Sequence, residues 1–205
     1  MLDTSDQIME ADYNSSKTIS WKALREAEEV ENVNFIPQLI SFIDHEKDKK
    51  KRDKAYFLLG HIVKNTNNSI ALNYLIQRVG KEKDKYIVAS LLNIISDIKK
   101  PIGTELQPLF DAIKSDKWLV RHNAIRSLNN SFDPLSEATL IEILEKSDDS
   151  YNLTYSNATL NTIGTLRAIP YLEKHLKSKK RDVQNSARFA VEEIMKRNGQ
   201  EMLNL

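Results

Sequence analysis

The sequence predicts an all-α protein built as a solenoid of two-helix repeats. Three observations carry this. Aliphatic residues recur at helical spacing along most of the chain. The helical stripes themselves recur at 31–36 residue intervals, the period of a stacked-repeat architecture. Gly and Pro number 5 each in 205 residues, too few for a turn-rich all-β fold.

Taken in order, residues 1–17 (MLDTSDQIMEADYNSSK) are polar and irregular, and are expected to form a disordered acidic tail. With no apolar h-region they do not read as a signal peptide. An extra N-terminal helix is expected from Ser20, its N-cap, to about Asn32, with Ile19 stapled to Leu24. Residues 18–199 are read as one domain and 200–205 as a short tail. The repeats fall at about 33–66, 69–99, 104–131, 135–164 and 167–198. Their first helices carry Ile36/Leu39/Ile43, Leu72/Leu75/Val79, Leu106/Leu109/Ile113, Leu140/Leu144 and Ile169/Leu172/Leu176.

The second helices supply an independent register. Leu59, Leu92, Leu128, Leu160 and Val191 form one column. Ile62, Ile95, Ser131, Ile163 and Ile194 follow three residues later, and the small or β-branched Ala55, Val88, Ala124, Ser156 and Ala187 stand four residues before. One hairpin cannot hide its apolar face alone, whereas stacked hairpins can. Lys-, Asp- and Ser-rich stretches separate the two helices of each unit. Ser136 is expected to cap the first helix of the fourth unit, after Asp133-Pro134, and Gly199 to stand just past the last helix.

Composition excludes several classes. With no Cys there are no disulfides, Cys-ligated zinc or thiol catalysis. Net charge is +1, too balanced for a surface that binds nucleic acid throughout. Residues 1–31 carry eight acidic and three basic side chains, so the rest is net +6. No apolar run reaches the roughly 18 residues of a membrane span, and a cytoplasmic protein without a membrane partner is expected. The four His (45, 61, 122, 175) show no i,i+4 pair and no H-E-x-x-H. No G-x-S-x-G, P-loop or G-x-G-x-x-G occurs. No metal site, cofactor or catalytic residue is expected.

The segments SDKWLVRHNAIRSL (115–128), AIPYLEKHL with RDVQNSARFAVEEI (168–194), KAYFLLGHIV (54–63) and ATLNTIG (158–164) resemble the HEAT-repeat family, above all its short bacterial repeats of the phycobilin-lyase type. The resemblance spans about 33–195. It implies a right-handed α-solenoid of about five HEAT-like repeats, with the second helices lining the concave face. The family's Val-Arg pair is intact only at Val120-Arg121. Its Arg column reads Arg52, Lys85, Arg121, Leu153 and Gln184, and the fourth unit departs furthest with the polar run SYNLTYSN.

On that concave face the candidate binding residues are Phe57, His61, Tyr86, Asn93, His122, Arg126, Asn129, Asn130, Asn161 and Phe189. Asn93, Asn129 and Asn161 occupy one position in three successive units and could bond a ligand backbone or form an inter-repeat ladder. A second candidate is a basic edge of Lys49, Lys50, Lys51, Arg52, Lys179, Lys180 and Arg181, against which solvated turns are the plainer reading. The function expected is a non-catalytic scaffold or adaptor that grips a protein partner on the concave face. The alternative, from resemblance to HEAT-like DNA glycosylases for alkylated bases, is a DNA-binding protein using a basic surface. With Trp21 and Trp118 alone and no Trp-plus-Asp cluster on the second helices, it takes second place.

Overall fold

The computed structural model describes residues 19–199, so the expected tails, 1–17 and 200–205, lie outside it. Eleven α-helices and no strand occur among the described residues. They are α1 (Ile19–Glu28), α2 (Ile36–His45), α3 (Lys49–Thr66), α4 (Ser69–Val79), α5 (Lys85–Ser96), α6 (Gln107–Ile113), α7 (Trp118–Ser127), α8 (Pro134–Lys146), α9 (Ser150–Ile163), α10 (Ile169–Glu173) and α11 (Arg181–Arg197). Chain contacts group into two compact units, Met1–Leu75 and Ile76–Leu205, with the boundary inside α4.

The aliphatic register is the core. Leu59, Leu92, Leu128, Leu160 and Val191 are all buried, as are Ala55, Val88, Ala124, Ser156 and Ala187. Small residues in that second column let neighbouring helices approach closely. In Met1–Leu75, α1 and α2 both pack on α3. In Ile76–Leu205, α5, α7, α9 and α11 lie side by side, while α6, α8 and α10 pack against the helices that follow them.

Helix starts and turns have identifiable chemistry. Asp48, Asp84 and Asp149 each accept from two backbone N–H groups in the first turn of α3, α5 and α9. Arg52, Arg121 and Gln184, at one repeat position, each bond the preceding turn. Arg52 donates to Glu46 O (3.0 Å) and Lys47 O (2.9 Å), Arg121 to Ser115 O (2.8 Å), and Gln184 to Leu176 O (2.9 Å). Leu153, in the same column, is buried instead.

Three local expectations are corrected. α1 begins at Ile19 and ends at Glu28, so Ser20 lies inside the helix and the helix stops short of Asn32. Asp133, not Ser136, caps α8, because Pro134 already sits in the helix; Ser136 is buried, 2.8 Å from the Ser131 hydroxyl. In the fourth unit the position three before Leu140 holds Glu137, which is buried and accepts from Thr165 N (2.6 Å) and Thr165 Oγ1 (2.8 Å). That carboxylate orders the turn leading into α10 in place of an aliphatic contact. Gly164 follows: a Cβ there would stand 2.5 Å from Leu160 O and 2.8 Å from Ile194 Cδ1, so only glycine fits this close approach.

Candidate functional site

In Ile76–Leu205 the starts of α7 and α9 are tied together by one side chain. Arg121 Nε donates to Asn152 Oδ1 (3.1 Å), and its Nη2 lies 3.5 Å from Asp149 Oδ2. This brings the first-turn residues Trp118 and Tyr151 to the same end of the helix pair. Trp118 and His122 are one turn apart on α7, as Tyr151 and Tyr155 are on α9. The four rings form one cluster around His122. Tyr155 stacks on it at 5.0 Å with 20° between planes, Tyr151 lies at 5.7 Å and Trp118 at 5.8 Å.

The cluster is buried at its centre and open at its rim. His122 is 5% exposed, whereas Trp118 and Tyr151 are 64% and 65% exposed. Burial, and secondarily the Arg121 guanidinium, pushes the His122 pKa down, while Asp149 and a hydrogen bond with Asn152 partly offset this. The imidazole is therefore neutral near pH 7. Its Nε2 is buried without a hydrogen-bond partner. Exposed Arg126 follows one turn beyond His122 on α7. Two exposed aromatic rings, a third half-covered ring and an arginine are the residue types that concentrate binding energy in interfaces. No group of three or more His, Cys, Asp or Glu able to hold a metal occurs among the described residues.

Residues 106–192 match the family of HEAT repeats. The HEAT-repeat resemblance read from the sequence therefore holds, and the matched stretch runs from the start of α6 into α11, through the whole aromatic cluster. An engineered protein crystallised by the Northeast Structural Genomics Consortium aligns with TM-score 0.53 and 21% identity, over 85% of this chain and 91% of its own. A second engineered protein from that consortium aligns with TM-score 0.47 and 16% identity, over 94% and 96%. The first shares the all-α repeat fold. No curated protein matches the chain in sequence.

Ile76–Leu205 holds some of the expected binding residues on its surface and turns others inward. Tyr86, Asn93, Arg126 and Phe189 are exposed on α5, α7 and α11. Lys85 Nζ lies 5.1 Å from the centre of the Tyr86 ring, and the Arg188 guanidinium 5.3 Å from that of Phe189. His122 was expected on the surface; its burial under three rings corrects this. Asn130 was also expected unburied. It is half-buried in the left-handed conformation (φ 58°), and its Nδ2 donates to Ser96 O (3.0 Å), which ends α7 against the end of α5.

The Asn column divides. Asn161 Nδ2 donates to Phe189 O at 2.9 Å, linking α9 to α11 as a ladder would. Asn129 is half-buried with Oδ1 unpartnered, and Asn93 is exposed. Phe57 and His61 belong to α3 in Met1–Leu75, half-buried with ring centres 4.4 Å apart. Of the basic candidates, Lys49, Lys50, Lys51, Lys179, Lys180 and Arg181 are exposed and Arg52 clamps its own turn.

Sequence reasoning missed Tyr151 and Tyr155, which stand inside the polar run SYNLTYSN. The available signal was spacing: Trp118/His122 and Tyr151/Tyr155 are both i,i+4 pairs, set 33 residues apart. The polar members of that stretch face inward. Asn157 is buried and donates to Val183 O (3.2 Å) and Ser186 Oγ (3.1 Å) of α11.

Proposed function

We propose that the chain is a non-catalytic scaffold that grips a protein partner on the face formed by α5, α7, α9 and α11. One observation carries this: Trp118, Tyr151 and Tyr155 stand open around the buried His122 on two adjacent helices of the HEAT-type stretch. Rigid aromatic anchors give large contact area at low entropic cost. Tyr86, Asn93, Arg126 and Phe189 extend the same row of helices. The near-zero net charge suits a protein partner better than a polyanion.

The test compares the protein with its Trp118→Ala/Tyr155→Ala variant in affinity capture from native lysate. A specific protein held by the first and lost by the second, with the thermal midpoint of unfolding kept, supports the reading. Equal capture by both removes this face from the function. A duplex DNA shift that persists at about 150 mM salt would move the function to the basic-surface alternative.

A further inference from the structure

In Ile76–Leu205 the turn between α4 and α5 and the turn between α6 and α7 line one cleft. It encloses about 570 Å³, within the roughly 300–1,000 Å³ of pockets that take ligands. Lys81, Lys83 and Lys85 line it from the first turn and the start of α5, and Lys114 and Lys117 from the second turn. All five are exposed, and among the described residues none of the five is held in an ion pair. The buried Val79, Val88 and Val120 form an apolar floor.

Most carboxylates at the cleft already have partners. Glu82 and Asp111 also line it. Glu82 Oε1 lies 3.3 Å from Arg78 Nη2, and the Glu82 side chain is 3% exposed. Asp111 accepts from Gln107 Nε2 at 2.9 Å. In the same turns Asp84 accepts from Tyr86 N and Ile87 N, and Asp116 is exposed. With Arg78, Asp84 and Asp116 counted, cations still outnumber carboxylates six to four. A cleft rimmed by one sign of charge over an apolar floor focuses its field on a small volume. Lysine meets an anion as a point charge, without the planar fork that arginine offers a carboxylate. Five such charges suit a compact ligand of high charge density, as linked phosphates are. The basic rim is also local. Arg121 bonds Ser115 O of the α6–α7 turn and reaches Asp149, so the α8–α9 turn is the next neighbour. It carries Asp148 and Asp149 beside Glu145, so a long polyanion leaving the cleft on that side meets carboxylates.

We propose that this cleft binds a small oligophosphate, free or as the tail of a phosphate ester, held by Lys81, Lys83, Lys85, Lys114 and Lys117. It uses none of the rings of the aromatic cluster and is a second site, beyond the proposed protein-binding role.

The test titrates the ¹⁵N-labelled full chain with tripolyphosphate at about 150 mM salt, where exposed charges are screened beyond about 8 Å. The proposal expects saturable amide shifts concentrated at residues 80–85 and 114–118, with smaller ones at the other lysine-rich stretches, 49–51 and 179–181. Lys83→Glu/Lys114→Glu, with the unfolding midpoint kept, should weaken binding by at least about tenfold, because each reversal turns an attraction into a repulsion. Lys83→Gln/Lys114→Gln, which removes the two charges without reversing them, gives the same readout should the reversal unfold the chain. Citrate, an anion of carboxylates, should bind at least about tenfold more weakly than tripolyphosphate. Adenosine triphosphate is the second arm: tighter binding than tripolyphosphate names an ester as the source, weaker binding names the free anion, and either supports the proposal. Shifts spread equally over all the lysine-rich stretches, affinity unchanged in the double variants, or citrate as tight as tripolyphosphate overturns it. So does tighter binding of single-stranded DNA at the same residues, which would make the cleft part of a nucleic-acid surface. None of these readouts uses Trp118→Ala or Tyr155→Ala, so failure here leaves the proposed function standing.

Discussion

The first hairpin treats its column leucine differently from the hairpins of Ile76–Leu205. In Ile76–Leu205 the first-helix leucines Leu109, Leu140 and Leu172 have no exposed surface, and each helix pair has neighbours to lean on. In Met1–Leu75 the equivalent Leu39 is half-buried beside an open groove, because α1 covers α3 without closing over α2. The lesson is that a repeat hairpin encodes its apolar positions but not their burial. Burial is completed by whatever packs next to it, which the hairpin's own sequence does not supply.

The largest expected effect tests that contrast. Leu109→Ala should cost about 3–5 kcal/mol in urea unfolding, as a fully buried leucine does. Leu39→Ala should cost about 1–2 kcal/mol, because less apolar area leaves water there. Equal losses would break the comparison.

The next effect sharpens it within Ile76–Leu205. Glu137→Leu restores the aliphatic column yet strands the Thr165 N–H and O–H. It should destabilise by about 1–3 kcal/mol, while Glu137→Gln, which keeps an acceptor, should cost less. Stabilisation by Glu137→Leu would show that the column matters more than the turn.

The smallest effect is a pH dependence belonging to that unit alone. Lys100 is fully buried and its Nζ donates to Ile95 O (2.8 Å) and Ile98 O (2.6 Å), two bonds that a neutral amine also supplies. Burial, opposed by Asp97, lowers its pKa from 10.5 to about 7. Between these values the unfolded chain binds the extra proton, so stability rises with pH, by about 1 kcal/mol from pH 7 to 8. Below pH 7 both states are charged and the slope vanishes. Lys100→Met should flatten the rise, and amide exchange at position 100 and at Phe132, whose N–H groups donate to Asn130 O and to the carbonyl of residue 100, should report it. A slope unchanged in that variant would assign the titration elsewhere.

Much of the fold was legible from spacing. The columns through Leu59, Leu92, Leu128, Leu160 and Val191 were readable because a helix with one apolar stripe repeats its chemistry at its own period. The candidate site was legible in part. Tyr86, Arg126 and Phe189 were placed on the surface because template positions outside the core stripe face solvent. His122 was misplaced because the rings that bury it come from α9, a repeat away, and Tyr151 and Tyr155 were overlooked because their neighbours are polar.

The sequence by itself determined the helical period, the repeat length and the residues of the apolar spine, since these follow from side-chain spacing along a 3.6-residue helix. The tertiary structure alone decided which spine positions close and which polar groups turn inward. It closed Leu109 and left Leu39 half-buried, buried Glu137 and Asn157 against partners far along the chain and Lys100 against nearby carbonyls, and gathered three rings around one histidine. The physical reason is that burial and hydrogen-bond partnership belong to pairs of elements, and no single segment carries its partner with it.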